Sequence, residues 1–280
     1  MTIFAPLVVD DDMSRINAEV REIRTSQARQ EAEETLNWLA NKDYESVHNS
    51  ALKNWQPGTA QWFLESAEYQ NWLTGAKGRL LCHGMQGAGK TVIAAIAINH
   101  SQQTKAYEDA SLGVAFIYFN INERDEQSPG DLLASLVRHL GNGKGPSLSP
   151  PIRQLFERHQ LQRTRPSLNE LSTLFHHICT TYSNVHIIID ALDECNSRSR
   201  RTLLREIFSA QELPGVNIRV LVTSRPNGDI QHLFNGFPWL EIRARDDDIR
   251  SYVSERISPL LDDDIRDKIM ETVVSAARGM

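Results

Sequence analysis

Apolar positions along the chain fall into two kinds of run, and their alternation predicts the elements. Short runs rich in β-branched and aromatic side chains predict buried strands. They lie at Leu80 to His83, within 113–121 (GVAFIYFNI), at the head of 185–195 (VHIIIDALDEC), at 217–225 (NIRVLVTSR) and at 240–244 (LEIRA). Between them the apolar residues recur at helical spacing. Trp62, Phe63, Trp72 and Leu73 predict a helix over 61–75 that stops at Gly75, and TVIAAIAI from Thr91 predicts the next. Ser128 to Asp131 opens a helix carrying Leu132, Leu133, Leu136, Val137 and Leu140. A capping box, Ser167 to Glu170, starts one whose Leu168, Leu171, Leu174, Phe175, Ile178 and Tyr182 share a face. Two further helices carry Ile249, Val253 and Ile257, then Ile265, Ile269 and Val273, with Asp246 to Asp248 and Asp262 to Asp264 as their acidic first turns.

The start of the chain reads differently. Residues 10–40 are charged and contain neither glycine nor proline. Met13, Ile16, Val20 and Ile23 keep a 3-4-3 spacing that Gln27 and Gln30 then break. Under two heptads is too short for a stable coiled coil, so a helix docked on the main domain through Trp38 and Leu39 is expected in preference to an oligomerisation element. Residues 41–60 and 141–151 read as loops, the second being the expected flexible or protease-sensitive site.

The stretch Gly84 to Thr91, GMQGAGKT, fits GxxxxGK[ST], and it sits between a predicted strand and a predicted helix, as a phosphate-binding loop requires. Gly84, Gly87 and Gly89 let backbone N–H groups approach phosphate oxygens, with Gln86 and Ala88 completing the loop. The helix start adds unpaired donors and the positive end of a dipole. Lys90 is placed to reach the β- and γ-phosphates, and the Thr91 hydroxyl to ligate Mg²⁺.

The strand VHIIID supplies a counterpart. A carboxylate at the end of a buried strand costs several kcal/mol unless a cation or donors meet it, and Mg²⁺ beside Thr91 would meet Asp190. Asp193 and Glu194 follow within one turn and can orient or deprotonate a water. The strand NIRVLVTSR ends in Thr223, Ser224 and Arg225, and the carboxyl end of a parallel strand faces the ligand crevice. Arg225 is the candidate for sensing the γ-phosphate. Arg198, Arg200 and Arg201 read as a solvated helix face, and His176 and His177, at adjacent helical positions, cannot face one metal. Asn41-Lys42-Asp43 begins like the guanine-reading NKxD of GTPases, but Tyr44 follows and the segment precedes the P-loop.

Composition removes alternatives. At 280 residues with 40% hydrophobic and 24% charged residues, the chain fits an ordinary globular class. A net charge of −6 gives no case for nucleic-acid or anionic-membrane binding. No apolar run approaches the ~18 residues of a membrane span, and the acidic N-terminus is no secretory signal, so a cytoplasmic setting is expected. Cys82, Cys179 and Cys195 are far apart in sequence and read as buried free thiols.

Taken together, GMQGAGKT, a strand of form hhhhDAhDE and a strand ending TSRP resemble NACHT-type NTPases, the signal-transduction branch of the P-loop ATPases. QPGTAQWFLESAEYQNWL is similar to the entry segment of fungal NOD-like receptors and nephrocystin-like P-loop domains, so the resemblance runs over about residues 34–280. Two positions depart from it: Gln86 stands where fungal members usually have proline, and Ala60 where the entry segment often has a second glycine.

The resemblance implies an α/β fold with a five-stranded parallel sheet in which the strand of Asp190 is not adjacent to the P-loop strand. It implies a helical N-terminal segment and linker over 1–52, an NTPase domain over 53–245, and the beginning of a helical lid over 246–280, where the chain stops. Relatives carry effector domains and ligand-sensing repeats absent here, and self-associate through the NTPase domain. The expected function is a nucleotide-governed switch that binds ATP or GTP with Mg²⁺, ATP being favoured, and hydrolyses it slowly. The alternative is a nucleotide-holding protein-interaction module without significant turnover. A metabolic phosphotransferase would need an arginine-rich acceptor lid, which the sequence lacks.

Overall fold

The buried runs read from the sequence assemble into one parallel sheet. The computed structural model describes residues 9–40, 42–75, 78–107, 111–124, 127–141, 148–257 and 262–277. Its elements in order are α1 (Val9–Leu39), α2 (Tyr44–Lys53), α3 (Gln61–Leu64), α4 (Ala67–Thr74), β1 (Arg79–His83), α5 (Lys90–Tyr107), β2 (Leu112–Tyr118), α6 (Pro129–Gly141) and α7 (Pro150–Gln162). There follow α8 (Leu168–Cys179), β3 (Asn184–Asp190), α9 (Ser197–Ala210), β4 (Asn217–Ser224), α10 (Gly228–Leu233), β5 (Trp239–Glu241), α11 (Asp246–Arg256) and α12 (Asp263–Ala277).

The strand order is β2-β3-β4-β1-β5, with every neighbour parallel. β4 therefore separates β3 from the P-loop strand β1, as the resemblance implies. The register pairs Cys82 with Thr223 and Ile189 with Val222, which brings Asp190 level with Thr223 at one end of the sheet. Helices cover both faces, so the strands read as continuous apolar runs without alternation. On β2, at the sheet edge, the Phe116 N–H is donated to His139 Nδ1 at 3.3 Å. Burial, with Arg138 beside it, pushes that imidazole down to about 3, so the ring stays a neutral acceptor.

Ahead of β1, Phe63, Tyr69 and Trp72 form a fully buried aromatic column with centroid spacings of 4.5 and 5.5 Å. Such pairs contribute roughly 0.5–1.5 kcal/mol each beyond their area burial. This column fixes the entry segment against the sheet.

Several elements differ from the sequence reading. Residues 41–60 are not all loop: α2 occupies Tyr44–Lys53, with Asp43 accepting from Ser46 N–H at 3.2 Å as its N-cap. Its buried Tyr44, His48 and Ala51 stand at helical spacing, and the Pro57-Gly58 pair breaks the chain only after the helix. The helix expected over 61–75 is two, because Ser66 caps a new start at α4, accepting from Tyr69 N–H at 3.3 Å. The loop expected over 141–151 already gives way to α7 at Pro150, and residues 142–147 lie outside the described residues. The strand expected over 240–244 ends at Glu241.

The expected docking of α1 holds for its last turns only. Leu36 and Leu39 are buried, and Trp38 stands edge-on to Phe156 at 5.0 Å. Arg138 and Arg165 donate to the carbonyls of Ala40 and Trp38, satisfying the helix end. Farther back, Ile16, Val20 and Ile23 are exposed. Arg200 is a further correction: Arg198 and Arg201 are exposed, but Arg200 is buried, its Nη2 3.8 Å from Asp229. Cys82, Cys179 and Cys195 are buried and free, and burial pushes each thiol up, which leaves them unreactive at neutral pH.

Candidate functional site

The P-loop leaves β1 at His83 and enters α5 at Lys90. Gly87 and Gly89 take φ of 83° and 90°, the left-handed region that the loop needs and that side chains disfavour. Gly84 is required for a different reason: a Cβ there would lie 2.4 Å from the Ile242 carbonyl oxygen. That carbonyl belongs to the segment leaving β5, whose Ile242 N–H is donated to His83 O at 2.7 Å. Lys90 folds back over the loop, its Nζ donating to Gly84 O at 2.9 Å and to Met85 O at 2.7 Å. Burial lowers its pKa, against the pull of Asp193 and Asp190.

Across the sheet end, Asp190 is buried and met by two hydroxyls. Thr91 Oγ1 donates to Oδ2 at 2.8 Å and Thr223 Oγ1 donates to Oδ1 at 2.5 Å. Thr223 Oγ1 in turn accepts from Ala191 N–H at 2.9 Å, so this side chain fixes both the carboxylate and the turn after it. Ala191 turns in the left-handed region, φ 52° and ψ 48°, sending Leu192 into the core and returning Asp193 and Glu194 to the cleft. Burial raises the Asp190 pKa, opposed by the hydrogen bonds from Thr223 and Thr91 and by Lys90. A buried carboxylate beside a threonine hydroxyl is a hard-oxygen pair of the kind Mg²⁺ takes, and a cation there would offset the desolvation. The residues present fit that ion.

Arg225 gathers the remaining acidic groups. Its Nε donates to Asp193 Oδ2 at 2.7 Å, its backbone N–H to Asp193 Oδ1 at 3.0 Å, and its Nη2 to Glu194 Oε1 at 3.2 Å. Glu194 Oε2 accepts from Ile121 N–H at 2.9 Å. The Asp193 side chain is 7% exposed and Glu194 23%. Asp193 is therefore the fixed partner of Arg225, and Glu194 is the carboxylate with more access to the cleft.

The cleft has two chambers with the P-loop between them, since Gly87, Gly89 and Val92 line both. One, of about 340 Å³, is walled by Gln86, Lys90, Thr91, Asp190, Glu194 and Arg225. The other, of about 430 Å³, lies between the entry segment and α11–α12 and is walled by Trp55, Ala60, Trp62, Ala88, Tyr252 and Val273. Asp248 joins its two sides. The Asp248 carboxylate accepts from Ala60 N–H at 3.1 Å and from Trp62 Nε1–H at 3.0 Å. Ala60 sits at φ 58°, the left-handed conformation that a glycine there would adopt freely.

Of the sequence-selected residues, Gln86, Gly87, Gly89, Lys90, Thr91, Asp190, Asp193, Glu194 and Arg225 line the smaller chamber, Ala88 lines the larger one, and Gly84 packs against Ile242 behind them. Asp193 stands there as the partner of Arg225. The second chamber was not foreseen. Its Asp248 was legible only as a first-turn helix acid, and Trp62 only as core. Thr223 carried a signal, being polar at the carboxyl end of a buried strand.

The sequence pattern of the family described as Nephrocystin 3, N-terminal, matches residues 58–225. Among solved structures, the Aeropyrum pernix ORC1 protein in complex with DNA is similar at 16% identity and a TM-score of 0.49, covering 74% of this chain and 52% of that one. AMPPCP-bound DnaA from Aquifex aeolicus is similar at 15% identity and a TM-score of 0.42, covering 80% and 62%. The chain thus spans about half to three fifths of these structures. No curated protein matches it. Among the described residues no helix is long and apolar enough to cross a membrane. The family match spans more than half of the chain and includes the P-loop, Asp190 and Arg225, so the chain belongs to the Nephrocystin 3, N-terminal family of P-loop domains.

Proposed function

We propose that the chain binds a nucleoside triphosphate with Mg²⁺ and hydrolyses it slowly, as a cytoplasmic signalling switch of the NACHT type. The observation that carries this reading is the Thr91–Asp190–Thr223 chain of hydrogen bonds at the foot of the P-loop, which holds one hydroxyl and one carboxylate where a phosphate-bound cation would sit. Mg²⁺ bound there would neutralise charge on the β- and γ-phosphates. Gly87, Gly89 and the start of α5 present N–H groups to the phosphates, with Gln86 and Ala88 on either side. Lys90 would exchange the carbonyls of Gly84 and Met85 for phosphate oxygens, a gain because its alternative partners are neutral.

ATP is favoured over GTP. What supports this is that Asp248, the carboxylate on the wall of the larger chamber, is already engaged by Ala60 N–H and the Trp62 indole, whereas guanine would call on such an acceptor for its N1–H and N2–H₂. Glu194 acts on the attacking water, oriented by the Ile121 N–H. Asp193 holds Arg225 in place. A γ-phosphate in the small chamber competes with Glu194 for the guanidinium, so triphosphate and diphosphate favour different arrangements of Arg225, as a switch requires. In this reading 1–52 serves as the N-terminal helical segment and linker, 53–245 as the NTPase domain and 246–280 as the beginning of a helical lid.

One observation favours the second reading, a nucleotide-holding interaction module: Arg225 engages both Asp193 and Glu194, which leaves no unpaired base in this arrangement. Single-turnover hydrolysis decides. The switch reading predicts that Glu194→Gln retains ATP binding and slows hydrolysis on the order of 100-fold, the usual contribution of a general base. Equal rates in the two proteins, both at the uncatalysed level, would establish the module.

A further inference from the structure

We propose that Lys42 and Glu123 are positioning residues for hydrolysis: their ion pair holds the backbone N–H that orients Glu194. A residue from the segment ahead of the NTPase domain thereby sets the geometry of the general base. The proposal rests on the hydrolytic role given to Glu194 above. The two oxygens of that carboxylate are held from different elements, Oε1 by Arg225 Nη2 at 3.2 Å and Oε2 by the Ile121 N–H at 2.9 Å. A γ-phosphate that draws on the guanidinium leaves the Ile121 N–H as the donor that fixes Glu194. What sets the direction of that N–H therefore sets the base.

Ile121 opens a single 3₁₀ turn, Ile121–Glu123, just after β2, and none of its three residues is buried. Such a turn is fixed by polar anchors and not by packing. Within it, Asn120 Oδ1 accepts from Asn122 N–H at 3.1 Å, and Glu123 N–H is donated to Asn120 O at 3.0 Å. Side chains from two directions then hold it. Asn196 Nδ2 donates to Arg124 O at 3.1 Å, but Asn196 lies two residues past Glu194 on the same segment. The tie from elsewhere is the Glu123 carboxylate, which pairs with Lys42 Nζ and also accepts from Gln127 Nε2 at 3.3 Å. Lys42 lies between α1 and α2, and its own place is set on both sides. Arg138 Nη1 donates to Ala40 O at 2.7 Å, and Asp43 caps α2. The Lys42 ammonium stands 5.9 Å from the centroid of the buried Tyr44 ring. The Lys42 and Glu123 side chains are 33% and 34% exposed, and a pair this accessible contributes little to stability. Neither residue lines a chamber of the cleft. Their loss should therefore appear in the rate, and not in the melting temperature or in nucleotide affinity.

Charge reversal in the full chain tests this. Lys42→Glu and Glu123→Lys, each alone, should speed hydrogen exchange of the Ile121 N–H and slow single-turnover ATP hydrolysis, both about tenfold. Mg²⁺-ATP affinity and melting temperature should stay unchanged. The double swap restores the pair and should bring both readouts back to within about threefold of wild type. In a Glu194→Gln background, Lys42→Glu should cause no further slowing, because the pair acts through that carboxylate. Additive losses there, a double swap that recovers nothing, or single variants with wild-type exchange at Ile121 would overturn the proposal. A slow Glu194→Gln beside single swaps of wild-type rate overturns this proposal alone. A wild type no faster than Glu194→Gln overturns the hydrolytic reading itself, and the proposal with it.

Discussion

The two chambers of the cleft draw on the chain in different ways. The smaller one is made by strand ends: the loop after β1, Asp190 at the end of β3, and Thr223 and Arg225 at and just after the end of β4. Its polar groups hold one another at 2.5–3.2 Å, and the parallel sheet sets their positions. The larger one is made by segments that meet only in the fold. Ala60 and Trp62 come from the entry segment, Asp248 from α11 and Val273 from α12, and a single carboxylate ties the first two to the third. The first chamber follows from the sheet, whereas the second also needs α11 and α12 for its walls. A ligand in the second would touch both helices, the contact that the proposed switch would use.

The comparison gives its largest expected effect in the small chamber. Asp190→Ala removes the buried carboxylate proposed to hold Mg²⁺ beside Thr91, so hydrolysis should fall on the order of 100-fold and respond more weakly to added Mg²⁺. A steady-state assay across Mg²⁺ concentrations reads both. If Asp190→Ala keeps a normal Mg²⁺ response, the ion is held elsewhere and the chamber has been misassigned.

A smaller effect should appear in the large chamber, with a different signature. Asp248→Ala releases the Ala60 N–H and the Trp62 indole and frees α11. Affinity for ATP should drop about tenfold, the equivalent of one or two hydrogen bonds. Affinity for inorganic tripolyphosphate, which needs only the small chamber, should be unchanged. Competition against a fluorescent nucleotide measures both ligands, and a parallel loss for the two would show that the chambers are not separable.

Sequence legibility follows the same division. The small chamber was readable because its chemistry needs particular residue types in contiguous motifs: glycines for the loop, a lysine and threonine at the helix start, an acid at a strand end. The strand order of Asp190 relative to the P-loop came with the resemblance. The large chamber was not readable, since Asp248 and Ala60 are 188 residues apart and each has a sufficient local explanation, as a helix-start acid and a loop residue. The same reason hid Arg200, which local charge placed on a solvated face and tertiary packing placed inside. For α2 the signal was present, in the spacing of Tyr44, His48 and Ala51, but was outweighed by the Asn, Ser, Pro and Gly around it.

The smallest expected effect lies outside both chambers and serves as a baseline for variants that touch neither. Glu170 closes the capping box of α8, and hydrogen bonds from the Ser167 backbone and hydroxyl hold its carboxyl down to about 2. Its folded pKa is below the ordinary 4.5, so its contribution is complete above that value and is lost as pH falls toward about 2. Glu170→Ala should cost about 1 kcal/mol at neutral pH. Thermal melts of the two proteins should converge as the solution is acidified through that window, with nucleotide affinity equal throughout. A gap that widens in acid would contradict the assignment.

The most direct test of the central claim is calorimetric titration of Mg²⁺-ATP into the full chain beside Lys90→Ala. The account predicts saturable binding at one site in the wild type and a loss on the order of 100-fold in the variant, as expected for a charge-assisted contact to phosphate. A folded wild type that takes up no nucleotide, or a variant that binds as well as the wild type, would contradict it.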